Sequence, residues 1–148
     1  MWVKEISASD TYDLRHTVLR ADFPRNCVHY EQDQIEGSFH LGVFEGEILI
    51  SVGSFYPKVS FPIEIPPTKK NLPFQLRGMA SLPEFRGLGA GTLLLNTAKF
   101  VLDAKGASLL WFNAREKAFP FYERLGYKVI GDLFLSYSVP HKIMFRVF

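Results

Sequence analysis

Arg86-Gly87-Leu88-Gly89-Ala90-Gly91 is the stretch that most limits what this chain can become. An apolar run from Gln75 to Leu82 leads into it, and an amphipathic stretch from Thr92 to Lys105 leads out. That order reads as a strand, a glycine-rich turn and a helix. Glycines let the backbone approach an anion closely and take turn geometries that side chains resist. The free N–H groups of the helix's first turn then face the anion, and the helix dipole favours negative charge there. The combination makes a site for a pyrophosphate. Spacing excludes two familiar phosphate loops. A P-loop needs Lys and Ser/Thr after its last glycine, whereas Thr92 and Leu93 follow Gly91. A dinucleotide fingerprint counted from Gly87 and Gly89 needs its third glycine where Thr92 stands.

The rest of the chain supplies strands and helices in mixed order, so one mixed sheet flanked by helices is expected. Trp2 to Ile6 predicts a first strand, and Ser9 or Asp10 a cap for a helix over Thr11 to Arg20. Ala21 to Gly37 is polar and irregular. Ser38 to Phe44 and Glu47 to Tyr56 read as a hairpin turning at Glu45-Gly46. Pro57 to Pro73 carries five prolines and reads as a long loop. After the glycine turn, Leu94, Ala98, Val101 and Leu102 have helical spacing, stopped by Gly106. Ser108 to Phe112 predicts a short buried strand. Glu116 to Leu125 predicts a helix interrupted by Pro120 and ended by Gly126. Tyr127 to Phe134 and Ile143 to Phe148 predict two closing strands with Pro140-His141 in the turn region. No linker divides residues 1–148, so a single domain is expected.

A second block extends the glycine loop into a family pattern. Arg86, Gly89 and Gly91 satisfy Arg/Gln-x-x-Gly-x-Gly/Ala, the coenzyme A loop of the GNAT acetyltransferases. One helix and one strand later, Ala118-Phe119-Pro120-Phe121-Tyr122-Glu123-Arg124-Leu125-Gly126-Tyr127 resembles the Ala-x-x-Phe-Tyr-Glu-x-Leu-Gly-Phe signature of the same superfamily. Leu76-Arg77-Gly78-Met79-Ala80 ahead of Pro83-Glu84-Phe85-Arg86-Gly87 resembles the common GNAT approach to the loop. The resemblance covers the C-terminal half well, and the N-terminal half fits by pattern. It implies an α+β fold with a single mixed, mostly antiparallel sheet flanked by helices.

The resemblance also implies an acetyl-CoA-dependent N-acetyltransferase, in which a primary amine attacks the bound thioester directly. The N–H groups from Gly87 through Leu88, Gly89, Ala90 and Gly91 to Thr92 would hold the pyrophosphate, with Arg86 adding charge. The pantetheine arm would lie along the backbone of Met79, Ala80 and Ser81, between two splayed strands. A backbone N–H near Met79 would stabilise the oxyanion. Tyr122 occupies the family's tyrosine position, and its hydroxyl would protonate the departing thiolate. Asn113 is a weaker candidate for the pantetheine amide, because Arg115 takes the place where relatives carry their Asn. Some members use a Glu base on the strand before the loop; this chain has Gln75 there. Candidates elsewhere are His40, His141, Glu64 and ordered water. Phe55, Tyr56, Phe61 and Phe74 flank the proline loop and are expected to be core rather than pocket.

Composition narrows the partners. Net charge is +2, too small to argue for nucleic acid. No apolar run approaches a membrane span, and Met1-Trp2-Val3-Lys4-Glu5 lacks a signal peptide's apolar core. Cys27 is alone, so neither an internal disulfide nor a metal cluster is expected around it. The expectations are a small-molecule amine acceptor, acetyl-CoA as co-substrate, no metal and a cytoplasmic setting, with a homodimer left open. The competing reading is a non-catalytic CoA-binding or sensing module, which the absent strand Glu favours.

Overall fold

The computed structural model describes residues 1–62 and 70–148. At its centre lies a seven-stranded sheet in the order β1-β2-β3-β4-β5-β7-β6. The strands are β1 (Trp2–Ile6), β2 (Phe39–Glu45), β3 (Ile48–Pro57), β4 (Pro73–Ser81), β5 (Leu109–Arg115), β6 (Lys128–Ser136) and β7 (Val139–Val147). Neighbours run antiparallel except β4 and β5, which are parallel. The expected single mixed, mostly antiparallel sheet is what forms.

Period-two alternation explains how the N-terminal half is covered on both faces. Phe39, Leu41 and Val43 of β2 are buried in one cluster with Leu94, Ala98 and Leu102 of α2 (Ala90–Lys105). The helix lies so close that a Cβ built on Gly53 of β3 would sit 3.0 Å from Leu94 Cδ2. Gly106 ends α2 at φ 78°, its N–H bonded to Asp103 O at 3.1 Å while Ala107 N–H reaches Leu102 O at 3.0 Å. That is the left-handed glycine stop that the sequence predicts.

The other face receives the segment 9–19. This segment passes from a 3-10 turn (Ser9–Thr11) through one α turn, α1 (Tyr12–Leu14), to a π turn (Arg15–Leu19). Its cap is not at Ser9 or Asp10 alone. Ser7 N–H donates to Asp10 Oδ2 at 3.0 Å and Asp10 N–H donates back to Ser7 Oγ at 3.3 Å. This reciprocal pair has the logic of a capping box. Leu14 packs there with Ile6, Val52 and Ala80. Residues 21–37, irregular in the sequence reading, contain two 3-10 turns, Arg25–Val28 and Glu31–Gln34.

Two further differences have simple causes. Pro140 and His141 lie inside β7, not in the turn. The turn is Tyr137-Ser138, both left-handed at φ 51° and 63°, a geometry whose twist suits a two-residue hairpin. Pro140 is tolerated because β5 ends at Arg115, opposite His141, so its missing N–H interrupts no bond to that strand. Pro120 sits in the first turn of α3 (Phe119–Arg124), where its absent N–H costs nothing, and it starts the helix after a 3-10 turn, Glu116–Ala118. Phe55, Tyr56 and Phe74 are core residues as expected. Phe61 packs on Trp111 and Phe145. Glu64, in the proline loop, lies outside the described residues.

The α1 face also carries a buried ion pair. Arg15 and Asp33 are both almost wholly inaccessible, with NH1–Oδ2 at 2.9 Å and NH2–Oδ1 at 3.1 Å. Tyr56 Oη donates to Asp33 Oδ1 at 2.5 Å, and Arg15 also donates to Ser54 Oγ at 2.7 Å and Val28 O at 2.8 Å. Burial by itself raises the Asp33 pKa, but the hydrogen bonds from Arg15 and Tyr56 outweigh it and hold the carboxyl below its usual value. A depressed carboxyl contributes stability above its unfolded pKa and loses it as pH falls through the folded value. Asp33→Asn should therefore cost about 3–5 kcal/mol at pH 7, since Arg15 is left buried without its counter-charge. Urea titrations should show that cost shrinking as pH falls below the carboxyl's unfolded value of about 3.9, where the unfolded chain takes up the proton first, and vanishing only below the lower folded value.

Candidate active site

The glycine loop begins after a 3-10 turn, Pro83–Phe85. Gly87 and Gly89 take φ 81° and 88°, left-handed values that favour glycine. Gly89 caps α2, and the first bond back to it runs from Leu93 N–H to Gly89 O at 2.9 Å. Among the described residues, none of the N–H groups from Gly87 to Thr92 donates to an acceptor of the chain's own. They form a row of unsatisfied donors at the positive end of a sixteen-residue helix. Gly91 is small for a different reason: a Cβ there would lie 3.0 Å from Phe121 Cζ and 3.2 Å from Met79 Cε.

Beside this row the sheet opens. β4 and β5 pair only at Pro73–Leu109, Phe74–Leu110 and Gln75–Trp111. Beyond those three positions each strand continues without the other. On β4 the opening coincides with a bulge, because Val52 pairs with Ala80 and Ser54 with Arg77, leaving Gly78 and Met79 opposite Gly53 alone. Gly78 is left-handed at φ 62°. A bulge of this kind bends the strand and leaves a residue outside the ladder. The resulting cavity, about 560 Å³, reaches from the glycine loop to the segment 9–19 and the β6–β7 turn.

Most of the residues singled out in the sequence meet in this cavity. Met79, Ala80, Ser81, Arg86, Gly87, Ala90, Gly91, Asn113 and Tyr122 line it. Leu88, Gly89 and Thr92 do not; the Leu88 side chain faces solvent. Ser81 Oγ is 2.8 Å from Ser51 Oγ across the β3–β4 pair, so its unusual polarity is satisfied within the sheet. The Tyr122 ring lies tilted against Phe112 at 4.5 Å between ring centroids, and its hydroxyl points to Met79 Sδ at 3.7 Å. A thioether is a weak acceptor, so among the described residues the hydroxyl has no strong partner. Burial pushes its pKa up to about 12, with the nearby Arg115 charge pulling the other way.

The proposed bases separate in space. His141 lines the cavity, with Nδ1 2.7 Å from Val139 O. A proton on Nδ1 shared with that carbonyl leaves Nε2 as an acceptor. His40 does not line the cavity; it is buried against Ser54 Oγ at 2.7 Å, and burial lowers its pKa while the Asp33 charge opposes. Gln75 Oε1 accepts from Gln32 Nε2 at 3.1 Å, and Gln32 Oε1 accepts from Arg77 NH1 at 2.6 Å.

Comparison with known proteins decides the family. The family described as acetyltransferase (GNAT) domain matches residues 27–129. The uncharacterized N-acetyltransferase YitI of Bacillus subtilis (strain 168) is 39% identical over 132 residues, covering 89% of this chain and 85% of YitI. This chain belongs to the GNAT acetyltransferases. YjcF of the same organism, also named as an uncharacterized N-acetyltransferase, is 27% identical over 78% of this chain and 76% of its own. The fold matches an acyl-CoA N-acyltransferase from Pseudomonas aeruginosa at TM-score 0.74 and 16% identity, covering 99% of both chains. It also matches an aminoglycoside 6'-N-acetyltransferase complexed with coenzyme A at TM-score 0.75 and 14% identity, over 99% of this chain and 97% of that one.

Within this GNAT chain, the sequence reading missed the polar wall of the cavity. Tyr30 and Arg77 line it together with Gln75. The Tyr30 ring lies between two guanidinium groups, Arg15 at 4.0 Å and Arg77 at 4.2 Å from its centroid. No local motif marks Tyr30, and the stretch that holds Gln75 and Arg77 points to the loop approach and an absent base, not to a wall; the three meet only because a 3-10 turn region packs on β4. Among the described residues, no group of three or more His, Cys, Asp or Glu side chains is placed to hold a metal ion. No described helix is long and apolar enough to cross a membrane.

The loop geometry makes one substitution decisive. Gly89→Asp adds a side chain at a left-handed position and a negative charge beside the free amides. Isothermal titration should show acetyl-CoA binding weakened by about 100-fold or more. Unaltered affinity would remove the loop from the binding site.

Proposed function

We propose that this enzyme moves an acetyl group from acetyl-CoA to a primary amine of a small acceptor by direct attack. The observation that carries the reading is the Tyr122 hydroxyl held 3.7 Å from Met79 Sδ at the strand bulge, beside a row of unpartnered amides. The amides from Gly87 to Thr92 bind the diphosphate, and Arg86 adds positive charge. The free edge of β4 from Met79 to Ser81 receives the pantetheine arm as a neighbouring strand would be received, with Asn113 on the facing strand. The backbone N–H at Met79 stabilises the carbonyl oxygen as the amine nitrogen bonds to the acyl carbon. The carbon–sulfur bond then breaks, Tyr122 gives its proton to the sulfur, and the amine's surplus proton leaves through a base or water.

His141 is the base this reading favours. It lines the cavity and has a free Nε2, whereas His40 is held in the buried network. Gln75, where some members carry a carboxylate, is tied to Gln32 and binds no proton.

The test is release of free thiol from acetyl-CoA against a broad panel of amines. Tyr122→Phe should lower kcat by about 100-fold while acetyl-CoA still raises the melting temperature as in the wild type. Because the hydroxyl's pKa is raised to about 12, it stays protonated across the working range. The wild-type kcat should therefore show no loss from Tyr122 ionisation between about pH 7 and 10. Equal turnover in the variant would take Tyr122 out of the reaction.

A further inference from the structure

We propose that the acceptor is a compact amino-carboxylate, its anionic group seated on Arg77, with Arg20 adding positive charge to the same cavity. The amine half of this statement rests on the acetyl-transfer reading; the anion half rests on the cavity alone. Arg20, Arg77, Arg86 and Arg115 line the cavity, and among the described lining residues there is no Asp or Glu. Arg86 belongs to the glycine loop, where a diphosphate accounts for positive charge, and Arg115 ends β5 within reach of Tyr122. Arg77 stands against the Tyr30 ring and Arg20 over the Tyr137 ring.

The buried carboxylate behind Tyr30 and Arg15 is already committed. Asp33 takes two bonds from Arg15 and one from Tyr56. Arg77 is half-buried, and its partners are Gln32 Oε1 at 2.6 Å and the Tyr30 ring. Arg20 is likewise half-buried, donates to Leu19 O at 2.8 Å and lies 3.8 Å over the Tyr137 ring. Among the described residues neither guanidinium forms an ion pair. A partly desolvated guanidinium with a neutral amide and a ring as its only partners retains most of its five donors and its full charge. Such a group matches a carboxylate in shape and charge. Stacking on Tyr30, itself backed by Arg15, pre-orders the Arg77 plane and reduces the entropy lost on binding.

Position favours a short molecule. Arg77 lies two residues before Met79 on β4, no more than about 7 Å along the strand. The bulge shortens that path. One small molecule therefore reaches Arg77 with its carboxylate while its amine stands at the thioester. The same charge pattern opposes polycations, which find no carboxylate in the lining.

The experiment has two arms. In the first, thiol release is measured for the L-amino acids, their carboxamides, spermidine and kanamycin. The best amino acid should exceed its carboxamide in kcat/KM by about 30-fold. Arg77→Met should collapse that ratio toward one, and Arg77→Lys should restore part of it. The acetyl-CoA-induced rise in melting temperature reports whether either variant still folds and binds the donor. In the second arm, N-acetyl-L-amino acids and their carboxamides are titrated calorimetrically into the protein with CoA present, which requires no turnover. The carboxylate member should bind and lose its advantage in Arg77→Met. Absence of thiol release with every amine defeats the transfer reading without touching the second arm. Equal binding of paired carboxylates and carboxamides, no binding of any carboxylate, or better turnover of spermidine or kanamycin overturns the anion site.

Discussion

The parting of β4 from β5 is the constraint on which the rest of the molecule turns. Three parallel pairs hold the two halves of the sheet together, and then both strands run on alone. Each strand is left with an unpaired edge inside the protein. Backbone groups so placed are costly unless something bonds them. An extended chain of amides laid into the gap meets that need, which is why the opening suits an arm that mimics a strand. The bulge at Gly78–Met79 turns β4 away from its former neighbour and brings a backbone donor to the point where the two halves diverge. The free amides of the glycine loop stand beside the same opening. In the proposed reaction, donor binding therefore falls mainly to backbone groups, and side-chain identity matters at few positions.

A second constraint is electrostatic. The segment 9–19 has only one α turn, and its π turn is not a strong structure in isolation. Its attachment to the sheet depends on Arg15 reaching Asp33, Ser54 and Val28 in the interior. That pair neutralises itself. The consequence falls on its neighbours: Tyr30 is clamped, Arg77 is oriented against it, and the described lining of the cavity holds no carboxylate. The same packing that anchors the N-terminal cover therefore orders the positive wall of the cavity.

Several features were legible because they depend on a few adjacent residues. The Gly87-Gly89-Gly91 loop and the Gly106 stop each follow from backbone preferences that operate within a turn, and the hairpin expected to turn at Glu45-Gly46 turns one residue later, at Gly46-Glu47. The buried stripe of α2 and the alternation of β2 follow from periodicity alone. The turn at Tyr137-Ser138 was not legible, because neither residue is a typical left-handed former and Pro140-His141 offered a stronger local signal. Only the end of β5 at Arg115 makes Pro140 acceptable within β7.

By itself the sequence determined the strand–glycine turn–helix unit, the tyrosine block downstream and the family, since these are short-range patterns that carry their own geometry. Tertiary structure alone decided where the sheet opens, which histidine faces the opening, and that Arg77 stands there with no counter-charge among the described residues. Those outcomes arise from strand register, a bulge, and the meeting of Arg15 with Asp33 across eighteen positions of chain. Long-range pairing of this kind leaves no mark in any local window, because its energy belongs to contacts that exist only once the chain has folded.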